Sequence, residues 1–232
     1  MTSQNADSNK EKTMIAYNND EKVKSKYVAR MRAHIKADEL VQGTGFESNG
    51  KTRGCAVGCT LDRYDHKGFE TELGIPEDVA RLFDTLFEGL PVKNAPEFAL
   101  DFLLAVKPGS DLTRIRFKFC AFLMREALAR VEALTLNADL KKQVIDAIWR
   151  SLKLNEEAGE GGVVSANRWS AARSAARSAR SAARSAVRSA AWSAGNAAES
   201  AARSARSAAE SAARSAAYKT YAKEFLRLVK EA

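Results

Sequence analysis

The sequence has little cysteine and no long apolar run. Its 232 residues contain three cysteines, Cys55, Cys59 and Cys120. An odd, small number of cysteines behind the polar opening MTSQNADSNKEKT, which lacks the apolar stretch of a secretion signal, predicts a reducing, cytoplasmic setting. The most apolar stretch, FALDFLLAV at 98–106, is far shorter than the roughly 18 residues of a membrane span. We therefore expect no membrane as a partner.

Common catalytic and nucleotide-binding motifs are also missing. The sequence contains no phosphate-binding glycine loop, no dinucleotide fingerprint and no serine-hydrolase elbow. Only two histidines, His34 and His66, are present, which leaves few combinations for acid–base or metal chemistry. The sequence favours a protein that is not an enzyme, and no cofactor is expected.

The positive charge is confined to one end of the chain. From Ser165 onward, thirteen Lys and Arg stand against four Asp and Glu, whereas the whole chain carries a formal charge of +8. The part before Ser165 is therefore close to neutral. A local concentration of basic residues indicates one cationic face or rod and not a generally basic protein.

Apolar periodicity predicts an all-α fold: a globular helical domain followed by a long Ala/Ser/Arg-rich helix or helical hairpin that packs in an oligomeric bundle. Residues 1–13 are predicted to form a disordered leader, because they contain no apolar stretch that could be buried. The globular domain is expected over 14–155. Residues 156–165 have the composition of a linker. The Ser/Ala-rich repeat with an apolar end covers 166–232.

Several helix boundaries can be predicted from capping residues and proline. Asn19 is placed to cap the first helix, and Ser110 or Asp111 to cap a long helix further on. Asn137 is expected to cap the helix that follows, and Pro76 to stand in the first turn of another. The irregular passage GTGFESNGKTRGCAVGC at 43–59 is interpreted as a loop or a short hairpin.

The repeat from Ser170 to Tyr218 places serine every three or four residues, apart from one gap of seven between Ser193 and Ser200 in which Ala197 takes a serine position; the step averages about 3.75 residues. This spacing predicts a helix, and alanine and arginine are among the best helix formers. Two sides of each unit are almost always alanine, whereas the position before each serine varies among arginine, acid and aromatic residues. Constant small residues predict close packing against another backbone, and we expect a homo-oligomer.

The pair Gly195–Asn196 is the one place where the repeat offers a helix stop. Because the serine phase continues across this pair, a continuous rod is favoured over two antiparallel helices, and both alternatives stay open. The last segment, YKTYAKEFLRLVKEA, returns to large apolar residues. This segment is expected to close a bundle or to dock on the globular domain.

Four stretches carry a resemblance: GCAVGCTLDRYDH, ELGIP, ARLFDTLFEGLP and FCAFL. With them the chain resembles a family of uncharacterised bacterial and phage proteins, over roughly 15–155. Similar globular parts in that family are often followed by Ser/Ala repeats with Trp, Arg or Glu in the variable position. The resemblance implies no activity, ligand or catalytic residue. Its phage association suggests capture of a nucleotide-like small molecule or of a host protein.

Ligand-binding candidates cluster around the glycine-rich passage. They are Cys55, Cys59, Tyr64 and His66. If 54–61 is helical, both sulfurs share one face, and two thiolates with an imidazole suit zinc. The spacing is not the usual zinc spacing and no fourth ligand is evident, so two buried structural thiols are favoured over a metal site at Cys55, Cys59 and His66. A thiol- or zinc-dependent enzyme is the third hypothesis.

A second group of residues consists of candidates for phosphate binding. Five arginines form a line about 20 Å long on the predicted helix, long enough to follow a nucleic-acid backbone: Arg173, Arg177, Arg180, Arg184 and Arg188. Acids at Glu199 and Glu210 in the same slots argue against this use. The leading hypothesis is therefore a non-enzymatic, homo-oligomeric binding protein, with nucleic-acid binding as the alternative.

Overall fold

The computed structural model describes residues 14–48, 50, 52–193 and 199–232, with side chains except at 186–193, 199–206 and 208–209. These residues are almost entirely helical, joined by turns and one short hairpin, so the predicted all-α class is confirmed. The predicted leader, 1–13, lies outside the described residues. No helix in the described ranges combines the length and apolarity needed to cross a membrane.

The first helix, α1 (Glu21–Lys36), buries Tyr27 and Met31, as its four-residue apolar spacing predicts. Its cap is Asp20, whose side chain accepts a hydrogen bond from the Lys22 amide at 2.7 Å. The prediction of Asn19 as the cap is wrong. Asn19 has a φ of 56°, in the left-handed region, whereas a helix N-cap has extended backbone.

The glycine-rich passage, for which a loop or a short hairpin was expected, forms a short hairpin. Strands β1 (Phe46–Glu47) and β2 (Arg53–Gly54) pair antiparallel. The short helix α2 (Ala56–Leu61) follows immediately. Because α2 begins only after Cys55, the passage ends in a sharp change from extended to helical backbone.

Four helices build most of the core: α3 (His66–Leu73), α4 (Glu77–Gly89), α5 (Ala95–Ala105) and α6 (Ile115–Ala133). Pro76 is the N-cap of α4, one residue before its predicted place in the first turn, whereas Pro96 lies in the first turn of α5. The predicted cap at Ser110 or Asp111 is wrong, because α6 begins at residue 115 and Asp111 instead accepts hydrogen bonds from Thr113 within a local turn.

Three long helices follow: α7 (Ala138–Gly159), α8 (Ala166–Ser193) and α9 (Glu199–Glu231). The predicted cap of α7 is confirmed, since the Asn137 side chain accepts hydrogen bonds from the amides of Asp139 and Leu140. Residues 156–159 of the predicted linker are part of α7.

The apolar end of α9 is inserted into the core. Phe225 is fully buried. Its ring centroid lies 5.6 Å from that of Phe102 and 5.4 Å from that of Phe119. Phe102 in turn stacks on Phe83 at 4.2 Å. The last helical turns of the chain are therefore a structural part of the globular domain.

The two Ser/Ala-rich helices run in opposite directions. In α8, Trp169 stacks on Phe117 of α6, and α8 then continues toward the C-terminal end of α6. In α9, Tyr221 packs on Phe122 before Phe225 reaches Phe119. The chain thus reverses its direction between α8 and α9, which a continuous rod would not do. Gly195–Asn196 itself lies outside the described residues.

One small-residue side of α8 packs against α7 of the same chain. Ala172 and Ala179, seven residues apart on α8, are buried, and Ala179 lies beside Ala147 of α7. Close packing of the alanines, inferred from the repeat, therefore has a partner within the chain. Whether other alanines pack against a second copy stays a prediction.

Candidate functional site

The carboxylate of Asp84, on α4, is the centre of the candidate site. Asp84 is 8% exposed. Its Oδ2 accepts a hydrogen bond from the Tyr64 hydroxyl at 3.1 Å and lies 3.0 Å from Nε2 of His66. The rings of Tyr64 and His66 meet edge to face, with centroids 4.9 Å apart. Two candidates from the sequence thus converge on a residue that the sequence analysis did not select.

The other oxygen of Asp84, Oδ1, is buried and accepts no hydrogen bond of ordinary geometry among the described residues, although the Cys55 thiol lies close enough to Asp84 for such a bond to raise the pKa of the thiol. A carboxylate oxygen of Asp84, Sγ of Cys55 and a carboxylate oxygen of Glu88 all lie within 4.8 Å of one another. Since Oδ2 is already engaged, Oδ1 is the Asp84 oxygen with free lone pairs. Buried carboxylate oxygens without a partner are rare in folded proteins because desolvation is costly.

Local structure explains how these three groups meet. Asp84 and Glu88 are four residues apart on α4 and therefore lie on the same side of that helix. Cys55 is the N-cap of α2, and its sulfur accepts a hydrogen bond from the Gly58 amide at 3.4 Å. The Gly43 amide donates to Oε2 of Glu88 at 2.7 Å. The glycine-rich loop thereby reaches the exposed end of the site.

Gly58 allows this loop to lie directly on α2. A Cβ atom at Gly58 would collide with the carbonyl oxygen of Gly45. The same loop contacts Tyr64, because a Cβ at Gly45 would lie 3.0 Å from Cγ of the tyrosine. Glycine at these two positions thus lets the loop approach both α2 and the start of α3.

The site carries excess negative charge. Burial raises the pKa of the Cys55 thiol to about 12, and both the charge of Asp84 and a hydrogen bond from the thiol to that carboxylate add to the effect. Burial and Asp84 also raise the pKa of Glu88. Among the described residues, neither carboxylate forms an ion pair with lysine or arginine, and the basic side chain within hydrogen-bond distance of Asp84 is His66. Such a site favours a cation and repels phosphate.

Cys59 does not belong to this group. Its sulfur donates to the carbonyl oxygen of Gly54 at 3.4 Å and lies 3.8 Å from that of Glu39. Cys55 has extended backbone before α2, whereas Cys59 lies inside the helix. The two sulfurs therefore have different partners, and the described residues bring Cys55 together with Asp84 and Glu88 and not with Cys59 and His66.

The second histidine occupies a separate polar network. His34 lies between Glu39, 2.7 Å from its Nδ1, and Asp62, 3.0 Å from its Nε2. Arg30 pairs with the same aspartate at 3.0 Å. This network lies on the Cys59 side of α2 and fixes the end of α1.

The geometry does not favour cysteine catalysis. A nucleophilic cysteine requires a thiolate at neutral pH, which a lowered pKa provides. The pKa of Cys55 is raised, and Nε2 of His66 is engaged by Asp84.

A sequence signal for Asp84 does exist. It is an acidic residue at the edge of the buried apolar stripe of α4, four residues before another acidic residue.

The arginine candidates lie far along the chain from this site, on α8. Arg173, Arg177, Arg180 and Arg184 are exposed, and their spacing places them on one side of the helix. None of these four forms an ion pair within the described part of the chain. The side chain of Arg188 lies outside the described residues.

Comparison of the chain with protein-family models, with curated proteins and with solved structures gives no match.

Proposed function

We propose that this protein binds a divalent transition-metal ion of the zinc type through Cys55, Asp84 and Glu88. The observation that carries the proposal is the convergence of these three donor groups within 4.8 Å, with Oδ1 of Asp84 buried and accepting no hydrogen bond of ordinary geometry from the described residues. Thiolate and carboxylate are both zinc ligands, whereas Mg²⁺ and Ca²⁺ take oxygen ligands.

Each residue has a distinct role in this proposal. Cys55 loses its proton on binding, and the ion replaces that proton in a setting that otherwise keeps the thiol neutral. Tyr64 and His66 hold Oδ2 of Asp84 and so orient the carboxylate. Glu88 is exposed and gives the ion a path from solvent. Three protein ligands leave one position of a tetrahedral ion for water.

The proposal keeps the expected class of a non-enzymatic binding protein but changes the ligand. A nucleotide-like molecule would bring phosphate next to Asp84 and Glu88, where it would be repelled. A metal cation neutralises the same two charges. Homo-oligomerisation and capture of a host protein stay predictions, because they concern other surfaces.

Titration with Co²⁺ and Zn²⁺ tests the proposal. We expect the full chain to take up one Co²⁺ with the charge-transfer absorbance of a thiolate ligand, and Zn²⁺ to displace it. Cys55→Ala and Asp84→Asn should abolish this absorbance. Cys59→Ala and Asp78→Asn are matched controls, since they remove a buried thiol and a half-buried α4 carboxylate outside the site, and both should retain it.

Two outcomes would contradict the proposal. One is the absence of stoichiometric uptake by the reduced, folded full chain. The other is uptake that survives in the double variant Cys55→Ala, Asp84→Asn, because the ion would then be bound elsewhere. Circular dichroism of each variant establishes that lost uptake is not lost folding.

A further inference from the structure

A groove of about 370 Å³ opens between α6, α7 and α8, away from the Asp84 site. Its walls are apolar except for one hydroxyl and one guanidinium. Its size falls at the lower end of the range for small-molecule sites, roughly 300 to 1,000 Å³. The lining residues are Met124, Ala127, Val144, Ala147, Ile148, Ser151, Ala176, Ala179, Arg180 and Ala183.

The repeat itself creates this groove. Helices α6 and α7 contribute long apolar side chains such as Met124 and Ile148, whereas α8 contributes only alanines and one arginine. Alanine brings the α8 backbone close to α7 at Ala179, which is buried. At Ala176 and Ala183 the same small side chains leave space that a larger residue would fill.

The one charged residue of the groove is Arg180. It is exposed and forms no ion pair within the described ranges. Arg177 and Arg184 lie on the same side of α8, one turn before and one turn after it. The groove therefore combines an apolar floor with a cationic edge, and this combination selects a ligand with an apolar body and an anionic end.

We propose that this groove binds an anionic amphiphile, a single aliphatic tail that carries a carboxylate. The tail lies against Met124, Val144 and Ile148, and the carboxylate meets the Arg180 guanidinium at the edge. A nucleic-acid backbone would use the arginines but not the apolar floor. The proposal is independent of the metal site, because it shares no residue with it.

Calorimetric titration of the full chain with dodecanoate, kept below its micelle concentration, is the first test. Decanoate and octanoate should bind progressively more weakly, by about fourfold for each methylene group that leaves the groove. Dodecyltrimethylammonium has the same tail and the opposite charge, and we expect it to bind more weakly than dodecanoate.

Two pairs of variants locate the site. Ala176→Leu fills the groove and should weaken dodecanoate binding by about tenfold, whereas Ala171→Leu, at an exposed position of α8 outside the groove, should not change it. Arg180→Gln should weaken binding by about two- to fivefold, as expected for an exposed ion pair. Arg173→Gln, two turns away on the same side, should leave binding unchanged.

The proposal is overturned if affinity does not depend on tail length, if the cationic amphiphile binds as tightly as dodecanoate, or if Ala176→Leu has no effect. The proposal is also overturned if the full chain does not bind dodecanoate but binds a DNA duplex, and if Arg180→Gln weakens that DNA binding. In that case the arginines form a nucleic-acid surface.

Discussion

Nε2 of His66 lies 3.0 Å from Oδ2 of Asp84, and the two residues belong to successive helices, α3 and α4. This contact occupies one oxygen of the carboxylate, while Oδ1 is buried and accepts no hydrogen bond of ordinary geometry within the described part of the chain. The helices thus hold a charged group in place at a cost to stability. Such a cost is typical of a binding site that is completed by its ligand.

Replacing Asp84 by Asn should therefore stabilise the metal-free protein. Asn keeps the shape and removes the buried charge, and we expect the free energy of unfolding to rise by about 1 kcal/mol. Zn²⁺ at a hundredfold excess over its Kd should stabilise the wild type by about 2.7 kcal/mol and not the variant. Urea unfolding with and without Zn²⁺ measures both effects.

Asp78→Asn is the control for this experiment, because Asp78 is another α4 carboxylate with an unpartnered Oδ1, and it pairs with Arg116 outside the site. Its variant should keep the full Zn²⁺ effect. A metal-free Asp84→Asn protein that is less stable than the wild type would show that the carboxylate is structural.

Gly58→Ala should disrupt the loop that closes the site. The new methyl group would collide with the Gly45 carbonyl oxygen, which belongs to the backbone and cannot rotate away. We expect a loss of more than about 2 kcal/mol in urea unfolding. In Gly159→Ala the nearest atom is the flexible Cγ of Lys118 at 3.2 Å, and the effect should stay within about 1 kcal/mol. Equal stabilities of the two variants would argue against the tight approach.

Phe225→Ala should strongly lower the free energy of unfolding of the globular domain, because Phe225 fills the space between Phe102 and Phe119. The expected loss is about 3–5 kcal/mol in urea unfolding. Leu226→Ala, at a half-buried neighbouring position, should cost clearly less. If the Phe225→Ala variant is as stable as Leu226→Ala, the end of α9 does not belong to the core in solution.

Alkaline pH should weaken the contact between α1 and α3. Burial, and then the hydrogen bond from the Tyr27 hydroxyl to Glu72 at 2.7 Å, raises the pKa of Tyr27 to about 12. The unfolded chain has the ordinary value of about 10. The contribution of this hydroxyl to stability is therefore fully present below pH 10 and is lost as the pH rises to about 12.

Tyr27→Phe isolates this contribution. At neutral pH the wild type should be more stable than the variant by about 1 kcal/mol, the value of one hydrogen bond. Unfolding free energies of both proteins, measured from neutral pH to about pH 12, should converge at the alkaline end. A difference that stays constant over this range would contradict the assignment.

Helix boundaries illustrate how far local sequence signals reach. The Asn137 cap of α7 is correct, because its bonds are made to amides two and three residues away. The caps predicted at Asn19 and at Ser110 or Asp111 fail. Asn19 has left-handed backbone and contacts distant Gly109, and Asp111 is used in its own turn. Long-range packing decided these positions, and no local pattern reveals it.

The candidate site was predictable in part for the same reason. A polar passage near two cysteines indicates Tyr64 and His66, and these two residues do converge with Cys55 on one cluster. That passage gives no indication of Asp84 and Glu88, because they lie on another helix. The four-residue spacing of Cys55 and Cys59 suggests one helical face, whereas the helix begins only after Cys55.

The sequence by itself determined the helical class, the helical Ser/Ala repeat and the apolar segment that closes the chain, because periodicity and helix propensity act within a few residues. Only the tertiary structure decided that α8 and α9 run in opposite directions, that Phe225 completes the core, and that a buried carboxylate on α4 meets a thiol from α2. These relationships depend on contacts between residues far apart in the chain. Burial and shape complementarity select such contacts, and sequence spacing does not encode them.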